Sequence, residues 1–109
     1  MSDTKYNGWT NYETWLVNLW MTNDQGGCEH WEEMANDTYK YAKPDNFFSQ
    51  VERATLDLAD AIKADLEECQ PEVTGMWADM INAAMSEVNF HEIAEHLMED
   101  VEKESEVED

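Results

Sequence analysis

Phe47, Val51, Ala54, Leu58, Ile62 and Leu66 recur three or four positions apart, a spacing that lines them along one face of an α-helix and along neither face of a strand. This periodicity commits the middle of the chain, residues 46–69, to a long helix. Asp45 stands where an N-cap belongs, and Pro71 lies just past the end. A helix with one apolar stripe must bury it against other apolar faces, and four further segments offer them. Thr10 and Glu13 have the spacing of a capping box, which predicts a helix beginning at Asn11 with Tyr12, Trp15, Leu16, Leu19 and Trp20 facing inward. The run "NDQGGC" is expected to stop it. A second helix, Glu29 to Ala42, carries Trp31, Met34, Ala35, Thr38 and Tyr39 inward and ends before Pro44.

Beyond Pro71 a helix over 76–89 places Trp77, Met80, Ile81, Ala84 and Val88 inward. Asn89 and Glu92 then form a second capping box ahead of Ile93, Ala94, Leu97, Met98 and Val101. Nowhere does the chain show the strict alternation of a strand. The expected fold is therefore all-α: a compact single-domain bundle of about five helices over residues 1–109, with a flexible N-terminus (1–9) and a loose acidic C-terminal tail (103–109).

Charge narrows the partners. The chain has 26 acidic against 6 basic residues, a formal charge of −20, yet five Trp, four Tyr and three Phe separate it from disordered acidic chains. Such a charge opposes direct binding to nucleic acid or an anionic membrane and favours a basic partner. No apolar run reaches the roughly eighteen residues of a membrane span. The start, "MSDTKYNGW", lacks the basic and apolar stretches of a signal peptide, and Cys28 and Cys69 form no CxxC pair. A cytoplasmic protein with free thiols is expected.

Motifs for chemistry are sparse. "HEIAEH" (91–96) has the elements of a zinc-protease helix, but its histidines are five apart, which sets His91 and His96 roughly 140° apart around the helix. Cys28 and His30 lack the paired spacings of a zinc site, no loop has EF-hand spacing, and no glycine-rich phosphate loop or nucleophile elbow is present. The expectation is a chain that is not an enzyme and takes no cofactor and no metal. An enzyme built on His91, Glu92 and His96 is the third-ranked reading.

The acids form the more informative pattern. Glu92, Glu95, Glu99, Glu102 and Glu106 are spaced three, four, three and four apart, one continuous row with a charge every 5 Å or so, against about 3.4 Å along a DNA strand. Glu52, Asp57 and Asp60 repeat the theme on the long middle helix, and Glu29, Glu33 and Asp37 form a shorter row. Like charges four apart destabilise a helix, so the rows are candidates for a binding surface rather than for stability; a merely solvated face is the plain alternative. The candidate partner-binding residues are Glu92, Glu95, Glu99, Glu102, Glu52, Asp57, Asp60 and Trp9. Trp9 either staples onto the first helix turn or remains available as an anchor for a partner. Trp15, Leu16, Leu19, Trp20, Trp31 and Trp77 are assigned to the core.

"TNYETWLVNLWMTND" (10–24) and "SEVNFHEIAEH" (86–96) resemble the two ends of a group of small proteins from phages, plasmids and related mobile elements. That group shares an Asn-Tyr-Glu-Thr-Trp helix signature and a late Asn-aromatic-x-Glu-Ile-Ala segment. The resemblance implies a mobile-element origin and no particular reaction. Small acidic proteins of that origin are similar in character to inhibitors of host DNA-processing defences, of the anti-restriction or anti-CRISPR type, which present DNA-like charge. The leading expectation is thus a non-enzymatic DNA-mimic inhibitor whose partner is a basic host protein with a nucleic-acid-binding groove. The alternative is an interaction or assembly module that docks through exposed aromatics without mimicry.

Overall fold

The structure, a computed structural model, describes the backbone of residues 6–107 and the side chains of residues 6–101. Its helices are α1 (Tyr12–Met21), α2 (Gln25–Tyr41), α3 (Gln50–Glu68), α4 (Met76–Ser86) and α5 (Phe90–Val107), with no strand among the described residues. The five-helix, all-α class is as expected. The side chain of Glu102, and those of the tail read as loose, lie outside the described residues.

The three longest helices, α2, α3 and α5, pack pairwise on one another. Their buried residues follow the stripes read from the sequence: Trp31 and Ala35 from α2, Ala54, Leu58 and Ile62 from α3, and Ile93, Ala94, Leu97, Met98 and Val101 from α5. Removing a Leu, Ile or Met side chain from water contributes about 1.5–3 kcal/mol each, so Leu58, Ile62, Ile93 and Met98, all fully buried, anchor this three-helix centre.

Helix starts depart from expectation for local reasons. Helix α3 begins at Gln50, not Asn46, because Ser49 and Glu52 make a reciprocal capping box: Glu52 N–H donates to Ser49 Oγ (3.2 Å) and Ser49 N–H to Glu52 Oε1 (2.9 Å). Asp45 instead closes the preceding turn, accepting from Phe47 N–H (2.8 Å) and Phe48 N–H (2.9 Å) and pairing with Arg53 at 3.0 Å. Phe47 is thereby left off the stripe, 84% exposed. Helix α2 starts at Gln25 rather than Glu29. Asp24 Oδ1 accepts the N–H of Gly27 at 2.6 Å, so the paired glycines sit in the first turn and do not act as a break. Gly27 is there for room, since a Cβ would lie 2.6 Å from the Met21 carbonyl oxygen.

The first helix turns a different face inward from the one expected. Its buried residues are Thr14 and Met21, with Val17 packed against the core, whereas Leu19 is 40% and Trp20 71% exposed. A polar clasp sets this rotation. The cap of α1 is Asn11, whose Oδ1 accepts from Thr14 N–H (2.9 Å) and from the Thr14 hydroxyl (2.6 Å). Thr14 Oγ1 accepts Asn89 N–H (2.9 Å), Asn89 Nδ2 donates to Thr10 Oγ1 (3.2 Å), and Asn11 Nδ2 donates to the Glu87 carbonyl (2.7 Å). Asn89 Oδ1 caps α5 by accepting Glu92 N–H at 3.0 Å, and Glu92 Oε1 accepts Thr10 N–H at 2.9 Å. Neither expected capping box forms in full: Asn11, not Thr10, caps α1, and of the second box only the Asn89 half is made, the Glu92 carboxylate reaching across to Thr10 N–H instead.

Within the N-terminal stretch expected to be flexible, Tyr6 and Trp9 exchange two backbone hydrogen bonds of 2.8 Å across Asn7 (φ 48°) and Gly8 (φ 88°). This is the turn that an Asn-Gly pair favours, with positive φ at both central residues. The turn lays Tyr6 edge-on to Tyr12 (5.1 Å) and 4.9 Å from the Trp15 ring.

Candidate interaction surfaces

Two surfaces emerge, one acidic and one apolar. The acidic one is a cleft of about 350 Å³ between α3 and α5, floored by Val51, Thr55 and Met98 and bordered by Glu52, Glu95, Glu99 and His91. It brings together three of the acids singled out in the sequence, from two helices, and among the described residues no lysine or arginine lines it. Nearby Arg53 is held by Asp45. The backbone and hydroxyl hydrogen bonds from Ser49 hold the Glu52 carboxyl below its ordinary value of 4.5, and the Phe47 and Phe48 N–H groups, with Arg53, do the same for Asp45. Glu95 Oε2 lies 3.7 Å from His91 Nε2, and Glu99 is exposed.

The other candidates do not join this cleft. Asp57 and Asp60 are exposed on α3, but at about 100° per residue they point roughly 140° and 80° away from Glu52, so the α3 acids do not form one row. Glu92 is half-buried with its carboxylate committed to Thr10, which makes it a structural residue. Trp9 is half-buried: its ring lies 4.2 Å from that of His96, packed against the core. The imidazoles of His91 and His96 therefore serve different neighbours, the α3 cleft and the N-terminal turn. Among the described residues no group of three or more His, Cys, Asp or Glu is placed to hold a metal ion. Cys28 donates to the Thr22 carbonyl at 3.3 Å, and both cysteines are free.

The apolar surface was missed because its residues were assigned to the core. No residue of α4 is buried. Trp77, expected inward, is 61% exposed and Met80 54%, beside Met76 at 63%. The spacing of α4 shows correctly that it has an apolar face, but the longer α2, α3 and α5 already cover one another, which leaves that face without a counterpart. Between α1, α4 and the end of α3 runs a groove of about 520 Å³ lined by Leu16, Val17, Trp31, Leu66, Ile81 and Met85, with Trp20 at its edge. The sequence signal that could have located this surface is charge: α1 and α4 contain only Glu13 and Asp79 as charged residues.

A family of unknown function, DUF7249, matches this chain over residues 2–106. The chain belongs to that family. No curated protein and no solved structure matches it. The matched span takes in the clasp, the acidic cleft and the apolar groove alike, so both surfaces belong to the DUF7249 domain itself. No helix among its described residues is long and apolar enough to cross a membrane.

Proposed function

We propose that this DUF7249 protein is a non-enzymatic acidic binding protein of a mobile element, one that occupies the nucleic-acid-binding groove of a basic host protein, such as a defence protein, and inhibits it as a DNA mimic. The observation that carries the proposal is the convergence of Glu52 from α3 with Glu95 and Glu99 from α5 on one cleft, lined by no lysine or arginine among the described residues. A basic groove docking there releases its own counterions, so affinity falls steeply with salt. The interface is narrower than the acid count suggests, because Asp57 and Asp60 point elsewhere and Glu92 is tied to Thr10.

The test is capture from host lysate with a salt-gradient elution, comparing the native chain with Glu95→Gln/Glu99→Gln. Glu52 and Glu92 are left intact because each also holds a helix start. The expected result is a DNA-binding protein retained by the native chain alone, released at moderate salt and displaced by added DNA. Equal retention by both chains, or indifference to DNA, overturns it.

A second reading, docking through apolar contacts without mimicry, is favoured by the exposure of Trp20 at the edge of the groove and of Met76, Trp77 and Met80 on α4. It predicts affinity that salt does not weaken.

A further inference from the structure

We infer that the apolar face of α1 and α4 is a self-association surface, and that its occupant is a second copy of this chain. The inference takes up the docking reading above and names its partner; it stands whether or not the acidic cleft binds a basic protein.

Charge selects the occupant. Two of the chain's 26 acids, Glu13 and Asp79, and none of its bases lie on α1 and α4. A basic partner is drawn to the acidic helices, away from this face. For two copies each carrying −20, this is the face through which they can approach with least repulsion. Depletion of charge with enrichment in Trp, Tyr and Met is also the composition of the core of a subunit interface.

The face offers both a recess and exposed side chains to fill one. The groove lined by Leu16, Val17, Trp31, Leu66, Ile81 and Met85 is a recess with Trp20, 71% exposed, at its edge, and Trp77, 61% exposed, lies one turn before Ile81 on α4. At about 100° per residue, Ile81, Trp77, Ala84 and Met80 succeed one another around α4. They occupy the flank opposite Asn82 and Ser86, which border Lys63 and Glu67. A two-fold axis across this face sets the projecting tryptophans of each copy against the recess of the other, the isologous arrangement of most homodimers. The exposed parts of Leu19, Trp20, Met76, Trp77 and Met80 amount to on the order of 600 Å² per copy, or about 1,200 Å² for the pair, the lower edge of a specific interface. Pairing also supplies what α4 lacks, since a helix of 11 residues with none buried is marginal by itself.

The test is sedimentation equilibrium of the full chain over a concentration series at low and at high salt. The expected result is a monomer–dimer equilibrium that tightens as salt rises, because screening removes repulsion between two like-charged copies. Trp77→Glu and Trp20→Glu should each weaken it about tenfold or more, with an unchanged far-ultraviolet circular dichroism spectrum. Met80→Glu replaces either one if its spectrum changes. Glu95→Gln/Glu99→Gln should lose the host protein yet keep the dimer, which separates failure of this inference from failure of the mimicry proposal. A chain that is monomeric at every concentration and salt overturns the inference, including one whose groove takes up the apolar dye anilinonaphthalene sulfonate as a monomer. So does a dimer indifferent to the tryptophan substitutions.

Discussion

Thr14 is the residue on which the first helix turns, and nothing in its local sequence marks it. It is fully buried, and its Oγ1 donates to Asn11 and accepts from Asn89. Thr14→Val keeps the shape but leaves the part-buried Asn89 N–H without its acceptor, so urea denaturation should show a loss of about 1–2 kcal/mol. Asn89→Ala removes the cap of α5 as well as the bond to Thr10 and should cost about 1–2 kcal/mol in the same assay. The Asn89 half of the second capping box was legible because its donor is three residues away. The Glu92 half was not, because its donor, Thr10, is 82 residues away and spacing rules see only the nearest turn. Acid sensitivity belongs to this scale too. Hydrogen bonds lower the folded pKa values of Asp45 and Glu52 below 3.8 and 4.5, so their contribution is complete above those values and disappears as pH falls through the lower, folded ones. Asp45→Asn/Glu52→Gln should flatten the decline of stability with acid in that window, measured by denaturation at a series of pH values.

Among the elements, α2, α3 and α5 were legible because each has a single apolar stripe and buries it. Helix α1 was misread: Tyr12, Trp15, Leu16, Val17, Leu19, Trp20 and Met21 surround it with apolar groups, so the face picked by periodicity was the wrong one and the clasp decided the rotation. Helix α4 shows the converse case, an apolar face correctly read whose counterpart the fold does not supply. The start of α2 turns on two adjacent glycines with opposite roles. Gly26→Ala finds its nearest neighbour 4.0 Å away and should stabilise the protein by about 0.5–1 kcal/mol through helix propensity. Gly27→Ala drives a Cβ to 2.6 Å from the Met21 carbonyl oxygen and 2.8 Å from Asp24 Oδ1, and should destabilise by roughly 1–3 kcal/mol as the α1–α2 corner is forced open. Thermal melting of the two variants should move in opposite directions.

At the scale of the whole molecule, the sequence showed how much charge the chain carries but not where the folded surface lacks it. The folded chain divides into an acidic bundle of α2, α3 and α5 and a nearly uncharged α1–α4 face. Self-repulsion at −20 makes added salt stabilising: raising sodium chloride from low to roughly half-molar should raise the melting temperature by about 4–8 °C, equivalent to about 1 kcal/mol for a domain this size. The clasp has a consequence for biosynthesis. Residues 10–14 leave the ribosome early, and the groups that hold them, at Glu87, Asn89 and Glu92, leave it late. Until translation has passed that point, Trp9 and Thr14, whose partners are His96 and Asn89, have no fixed seat. The N-terminal segment therefore gains its place only after residues 87–96 have been made.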